Sequence, residues 1–475
     1  MRRTNRFATL IVAALLALPA EGRGQTIQAM PEARQSVPGG STEAKPEEQA
    51  STGLWDRANL FGDAGGTRSA LAARGITLGL QETSEVLGNL SGGTRRALVY
   101  EGVTQLGLGI DLGKAIGLTG GTFNVSAFQI HGRGLSQNAL GNNLHTVSSL
   151  EALRGTLLFE LWYEQALFND KVAVRVGQLA ADQEFMVSRY ATLFLNHTFG
   201  WSSHPSADLP SGGASYPLAT PGVRLRVTPR EDLTLLAGLF NGDPAGPGSG
   251  QPQLRDASGT AFRLNDGVFA IFEAQLGTEI AGLAGTYKLG GWYNSQRFEE
   301  QRRDLAGQSL ADPATLDLHG RQVRGNWALY GVADQLVWTR PGSKDAGLGV
   351  FARAMGAPGD RNLINFYLDA GVTYKGALPG RDDDTAGLAV GYARYSDTAS
   401  KSDSDNRTLS GTDYPIRRTE TVLEATYQAQ IAPWWQVQPS AQYVFNLNGG
   451  VLDPRRPGKR LGDAAVLILR TNVSF

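Results

Sequence analysis

From Leu54 to the C-terminus one local pattern recurs: apolar and polar side chains alternate with a period of two. At the end of the chain Leu467, Leu469, Thr471, Val473 and Phe475 fall on one face. Ile468, Arg470, Asn472 and Ser474 fall on the other, as successive residues of a β-strand do. Upstream, Trp435, Val437, Pro439, Ala441, Tyr443 and Phe445 alternate with Gln436, Gln438, Ser440 and Gln442. Thr421, Leu423, Ala425, Tyr427, Ala429 and Ile431 alternate with Glu420, Val422, Glu424, Thr426, Gln428 and Gln430. The same period predicts strands through Tyr100–Leu112 and Leu153–Tyr163, the latter with Arg154, Thr156, Glu160 and Glu164 on its polar face. It also predicts strands around Val172–Val176, Val223–Val227 and Leu348–Ala354.

Turn clusters separate these runs, among them Asn265-Asp266-Gly267, Ala357-Pro358-Gly359-Asp360 and Leu378-Pro379-Gly380-Arg381. Some spacers are short and others are long and rich in Gly, Ser and Asp, the asymmetry of a transmembrane barrel with short turns at one rim and long loops at the other. Alternation alone also suits a soluble sandwich. Three features favour the membrane: Glu, Arg and Gln sit deep in runs whose other face is aliphatic, aromatics such as Trp434-Trp435 gather at strand ends, and the last strand ends on Phe475. The fold class predicted is all-β, a transmembrane antiparallel β-barrel over 54–475. At roughly 26 residues per strand with its connections, the number of strands is about 16.

The first residues read differently. Arg2, Arg3 and Arg6 precede an apolar run from Phe7 to Leu18, then Pro19 and Ala20, which is a secretory signal peptide assigned to 1–24. Residues 25–53 are Pro-, Glu- and Gln-rich and lack the apolar surface to offset ordering entropy, so they read as a flexible leader.

Composition narrows the chemistry. Lys+Arg 44 against Asp+Glu 45 leaves a formal net charge of -1, which argues against a nucleic-acid partner. With no cysteine, disulfides, thiolate metal sites and thiol catalysis are excluded. Gly 60 of 475 is nearly double the usual ~7% and suits a turn-rich β protein. His131, His145, His197, His204 and His319 are scattered without an H-E-x-x-H pattern, and no G-x-S-x-G elbow occurs. Neither an enzyme nor a cofactor is expected. Asp382-Asp383-Asp384 and Asp403-Ser404-Asp405-Asn406 carry calcium-type ligands but read equally as solvated acidic loop tips.

Several segments carry a family resemblance: LAARGI (71–76), LRGTLLFELWYEQALF (153–168), VRVGQLAADQEF (174–185), FLNHTFG (194–200), FNGDPAGP (240–247), GTYKLGGWY (285–293), GDRNLINFYLDAG (359–371), GLAVGYARYSD (387–397), and the ending PWWQVQPSAQYVFN with AVLILRTNVSF. In this order and spacing the chain resembles the carbohydrate-selective outer-membrane porins of Gram-negative bacteria. The resemblance implies a 16-stranded barrel in the outer membrane, passive diffusion of monosaccharides such as glucose, and a constriction built from the wall and infolded loops. The matches weaken over 248–272 and 302–323, which read as loops.

Taking the apolar face as the lipid face, the lumen receives Glu101, Arg154, Glu160, Trp162, Arg175, Arg224, Arg226, Arg353 and Arg470. Guanidinium forks and carboxylates are the groups that bind vicinal hydroxyls, and an aromatic face packs on a pyranose ring. Trp162 reads equally as an interfacial girdle residue. Asp182 and Glu184 match the family's AADQEF stretch and read either as solute contacts or as a turn that supports the wall. The partners expected are sugars, outer-membrane lipid and lipopolysaccharide, and the barrel-assembly machinery through the strand ending in Phe475. Monomer and homotrimer stay open, as do a plugged binding or scaffold barrel and a general porin.

Overall fold

The computed structural model describes residues 53–475 except 142, 316–318, 344–345 and 457. The signal peptide and all of the leader but Gly53 lie outside the described residues. The strands are β1 (Ile76–Asn89), β2 (Leu98–Asp111), β3 (Gly121–Gly132), β4 (Gly155–Leu167), β5 (Val172–Leu179), β6 (Thr220–Arg230), β7 (Leu233–Asn241) and β8 (Val268–Ile280). They continue with β9 (Leu283–Glu299), β10 (Gln322–Thr339), β11 (Gly347–Gly356), β12 (Ile364–Lys375), β13 (Thr385–Tyr395), β14 (Thr419–Ala432), β15 (Trp435–Phe445) and β16 (Ala464–Ser474). Each pairs antiparallel with the next, and β1 closes on β16 with Gln81 opposite Ser474 and Glu85 opposite Arg470. Closure gives every strand two paired edges, the one β solution that leaves no backbone donor facing lipid.

One rim carries short connections, such as the two-residue turn Ala281-Gly282, where both residues adopt left-handed φ (54° and 75°). That is the turn geometry whose twist matches paired strands. At the same rim Leu60 N–H donates to Ser474 O (2.8 Å), Trp434 Nε1 to Leu54 O (2.8 Å), and the Phe61 and Phe475 rings lie 5.5 Å apart. The N-terminal stretch is thereby tied to the seam between first and last strands. The other rim carries the long connections.

Facing follows the alternation through most of the wall. Leu423, Leu467 and Leu469 point outward and are exposed, while Val422, Val444, Val466 and Ile468 point inward and are buried. In β4 the expectation fails. Its register against β3 shifts between Leu158 and Leu161, so the strand carries a bulge. Before the bulge Leu157 and Phe159 face inward, packed with Val103, Phe128 and Ile130. After it Glu160 and Trp162 do. An extra residue flips every side chain beyond it to the opposite face. Arg154 and Thr156 therefore point outward, and the placement of Arg154 in the lumen is corrected.

A second correction concerns the acidic stretch around Asp403. It lies in a helix, Asp397–Ser410, begun by Ser396, whose hydroxyl accepts from Ala399 N–H, and ended at left-handed Gly411. Asp403 pairs with Arg417 and Asp405 with Arg302.

The core sits inside the barrel. The β3–β4 loop (133–154) and the β5–β6 loop (180–219) fold inward. Leu135, Leu140 and Val147 of the first pack with Phe194 and Phe199 of the second and with Val422, Val444 and Ile468 of the wall. Phe185, Met186 and Trp201 pack on Phe240, Phe269, Trp292 and Tyr367 across the lumen. A barrel of this size has room that its own wall side chains cannot fill, and these loops fill much of it.

Candidate constriction and solute site

The inward charges of the wall fall into two groups. The first holds the loops. An infolded loop carries backbone donors and acceptors away from water, and each needs a partner. Wall carboxylates take the donors. Asp334 accepts from Ser188 Oγ (2.6 Å) and Arg189 N–H (3.0 Å), Glu273 from Met186 N–H (2.7 Å), and Glu424 from Leu195 and Asn196 N–H (2.8 and 2.9 Å). Glu420 accepts from His145 N–H (2.7 Å). Arg353 serves the acceptors, donating to the carbonyls of Met186, Thr198 and Gly200 at 3.0, 2.8 and 2.7 Å.

Four residues expected at the solute path belong to this group. Arg353 is buried against Asp369 under the β5–β6 loop. Arg470 bonds Glu85 and Ser149 Oγ (3.0 Å). Glu101 is buried on the wall beside them. Glu160 accepts from Ala180 N–H (3.1 Å) and Trp162 Nε1 (3.3 Å). All four are on the lumen side, as alternation requires, but the loops cover them.

The second group forms a closed ring. Arg175 reaches Glu164 (2.9 Å) and Glu184 (2.6 Å), and Arg224 reaches the same two carboxylates (2.6 and 2.7 Å). Two guanidiniums and two carboxylates alternate, so the ring is electrically balanced. β4, β5 and β6 supply Glu164, Arg175 and Arg224 in lateral register, Glu164 opposite Arg175 and Arg175 opposite Arg224. Glu184 comes from the first turn of the infolded loop. Burial alone would raise the Glu184 carboxyl, but Arg175 and Arg224 hold it below the usual carboxylate range. Arg175, Glu164 and Glu184 keep 18, 16 and 22% of their side chains open. Trp162 is neither an open platform nor a girdle residue: the Arg175 guanidinium covers its ring 3.8 Å from the centroid. Arg226 pairs with Asp170 of the β4–β5 turn (2.8 Å), nearer the short rim.

Asp182 ties this ring to the outer side, its Oδ2 accepting from Tyr216 N–H (3.0 Å). Tyr216 borders a cavity of about 150 Å³ between the two loops, lined with Thr146, Glu151, His197, Ser206, Ser211 and Ser215 among others. Glu151 takes the Ser136 N–H on both oxygens (3.1 and 2.9 Å), and burial pushes its carboxyl up to about 7. His145 and His204, in the loops, are buried and pushed down to about 4 and about 3, so both are neutral. Among the described residues no group of three or more His, Asp or Glu side chains is arranged to hold a metal.

Glu164 was legible on the polar face of its run yet was not singled out, because the strand's phase does not reveal which charge meets a loop. Asp334, Glu273, Glu420 and Glu424 were missed as loop anchors. Their only signal is a lone carboxylate at an inward position.

The sequence model of the carbohydrate-selective porin, OprB family, matches residues 95–475. Porin B of Pseudomonas aeruginosa is 25% identical over 404 residues, 82% of this chain and 87% of that protein. A structure of Pseudomonas putida OprB at high pH superposes with a TM-score of 0.79 at 23% identity, covering 89% of this chain and all of the other. A low-pH structure of the same protein gives 0.54 at 18% identity, covering 88% and 99%. The closed sixteen-strand barrel with its infolded loops and the match over 95–475 lead to one conclusion: the chain belongs to the carbohydrate-selective porin, OprB family, sugar channels of the Gram-negative outer membrane.

Proposed function

We propose that the channel passes neutral monosaccharides and polyols of similar size by passive diffusion, and that Arg175, Glu164 and Glu184 are the charges that touch them, with Arg224 holding the two carboxylates in place. The observation that carries this reading is the balance of the ring. A pore that selects anions presents surplus cations, whereas here each guanidinium faces two carboxylates and each carboxylate two guanidiniums. Vicinal hydroxyls can accept from a guanidinium fork and donate to a carboxylate at once, which a monovalent ion cannot do.

The test is single-channel conductance of the mature chain in planar bilayers, titrated with glucose, other monosaccharides and a neutral polyol, with liposome swelling in parallel. Current block by monosaccharides that weakens several-fold in Arg175→Ala and Glu184→Gln supports the reading. Open channels indifferent to every sugar leave a general porin. Absence of conductance from a folded barrel favours a plugged one.

The last strand, paired to β1 and ending at Phe475 on the short rim, is the segment we infer to be read by the barrel-assembly machinery. Truncating Phe475 should then slow assembly and leave the pore properties of the barrels that do form unaltered.

A further inference from the structure

We propose that the outward groove formed by Arg95, Arg133 and Arg154 binds a phosphate of a phosphorylated glycolipid in the outer leaflet of the membrane. The groove encloses about 480 Å³ and is also lined by Leu98, Tyr100 and Asn138.

Three features of the wall converge on it. The β4 bulge turns Arg154 outward. Gly132, with φ of 85°, passes so close to Tyr100 that a Cβ there would stand 2.2 Å from its carbonyl oxygen, and Arg133 N–H donates to that oxygen (2.8 Å). Arg95, from the β1–β2 connection, is held at the rim by donating Nε–H to Asn138 O (3.0 Å).

What marks these arginines is that three of them line one groove with no counter-charge among them. The inward arginines pair with carboxylates, Arg175, Arg224, Arg353 and Arg470 among them. Among the described residues Arg95, Arg133 and Arg154 have no carboxylate within ion-pair distance, and all three are exposed. The adjoining β15–β16 loop adds exposed Arg455, Lys459 and Arg460, with Arg455 Nη1 donating to Thr94 O (3.3 Å). Like charges gathered without a partner repel one another, and a bound phosphate would relieve this by accepting bidentate bonds from the guanidinium forks.

The groove's position selects the source of the phosphate. Its floor is outward Leu98 and Tyr100. Further along the same face come a polar patch, Thr104 with the Glu82–His131 pair (3.1 Å) of the flanking strands, and then exposed Leu106, Leu108 and Ile110. A ligand seated here has its anionic head at the long-loop rim, its next groups against the Glu82–His131 patch, and its far end against the apolar wall beyond. That shape fits a lipid rather than a free ion. The assignment rests on the outer-membrane location and not on which solute the pore admits.

The experiment is native mass spectrometry of the full mature chain titrated with bis-phosphorylated lipid A, its dephosphorylated counterpart and inorganic phosphate. The chain is compared with Arg95→Ala/Arg133→Ala/Arg154→Ala and with the corresponding triple lysine variant. We expect the wild type to hold the phosphorylated lipid at least about tenfold more tightly than the alanine variant, since charge-assisted bonds from guanidinium forks to phosphate are lost. The lysine variant should fall between them, with single-channel conductance equal in all three. If the alanine variant does not fold, the lysine variant and the dephosphorylated lipid carry the comparison. Equal retention of both lipids by the wild type overturns the proposal. So does displacement of the lipid by inorganic phosphate at equal concentration, or a wild-type oligomer that the lysine variant dissolves without any lipid bound, which would make the groove an interface between copies.

Discussion

Arg353 and Asp369 face each other on neighbouring strands, Nε 3.1 and 3.0 Å from the two carboxylate oxygens, and water reaches neither side chain. One Nη2 hydrogen also goes to Asp369, and the other three guanidinium hydrogens are directed at three carbonyls of the β5–β6 loop. The pair is thus a post on which the infolded loop is seated. Breaking a buried pair from one side leaves an unpaired charge, at a cost of about 3–5 kcal/mol. Arg353→Ala should lower the temperature at which the barrel unfolds on a heat-modifiability gel and raise single-channel conductance as the loop loosens. Replacing both partners by apolar residues, often harmless for an isolated pair, should not restore stability, because the carbonyls of Met186 and Gly200 stay without donors. Wild-type stability in that double variant would contradict the role given to Arg353.

The balanced ring makes a prediction about ions. Glu164→Gln with Glu184→Gln leaves Arg175 and Arg224 uncompensated. The reversal potential under a salt gradient should move toward anion preference, and block by monosaccharides should weaken. An unchanged reversal potential would mean that the ring is not at the narrow part of the path.

Trp162 acts through Arg175, whose guanidinium lies on its ring. A cation–π contact contributes about 0.5–2 kcal/mol depending on desolvation. Trp162→Ala should therefore weaken sugar block several-fold with little effect on ion conductance, and Trp162→Phe should recover part of it. Loss of block in Trp162→Ala that Phe does not recover would favour a direct sugar contact by the indole.

Glu151 supplies a pH dependence. Burial raises its folded-state pKa to about 7 from the ordinary 4.5. The folded state then binds the proton more tightly, and its contribution to seating the β3–β4 loop is full below about pH 4.5 and lost as pH rises through about 7. Protease cleavage within 133–154 should accelerate between about pH 5 and about pH 8, and Glu151→Gln should flatten the profile. Cleavage that slows with rising pH would reverse the assignment.

The lipid face can be tested at Leu289, which lies outward and highly exposed in β9. Leu289→Arg should destabilise the barrel by about 2–4 kcal/mol if it lies near the midplane, and Leu289→Ile should be close to neutral. Both are read by urea unfolding in lipid vesicles.

The sequence by itself determined the barrel. Alternation placed Leu467 and Leu469 on one face and Arg470 on the other, because successive strand residues must point oppositely and each face meets a different solvent. It also put Arg175 and Arg224 on the lumen side, and the family resemblance pointed to Glu184. Two things only the tertiary structure decided. The β4 bulge moved Arg154 to the outer wall: one inserted residue reverses the phase of a strand, and an apolar run such as Leu157-Leu158-Phe159 reads the same in either phase. The infolding of 133–154 and 180–219 then divided the inward charges into those that hold loop backbone, such as Arg353 and Glu424, and those left partly open in the lumen, such as Arg175 and Glu184. That division depends on which wall residues meet a loop many positions away, and burying the loop's backbone amides and carbonyls demanded partners that only the closed barrel could bring to them.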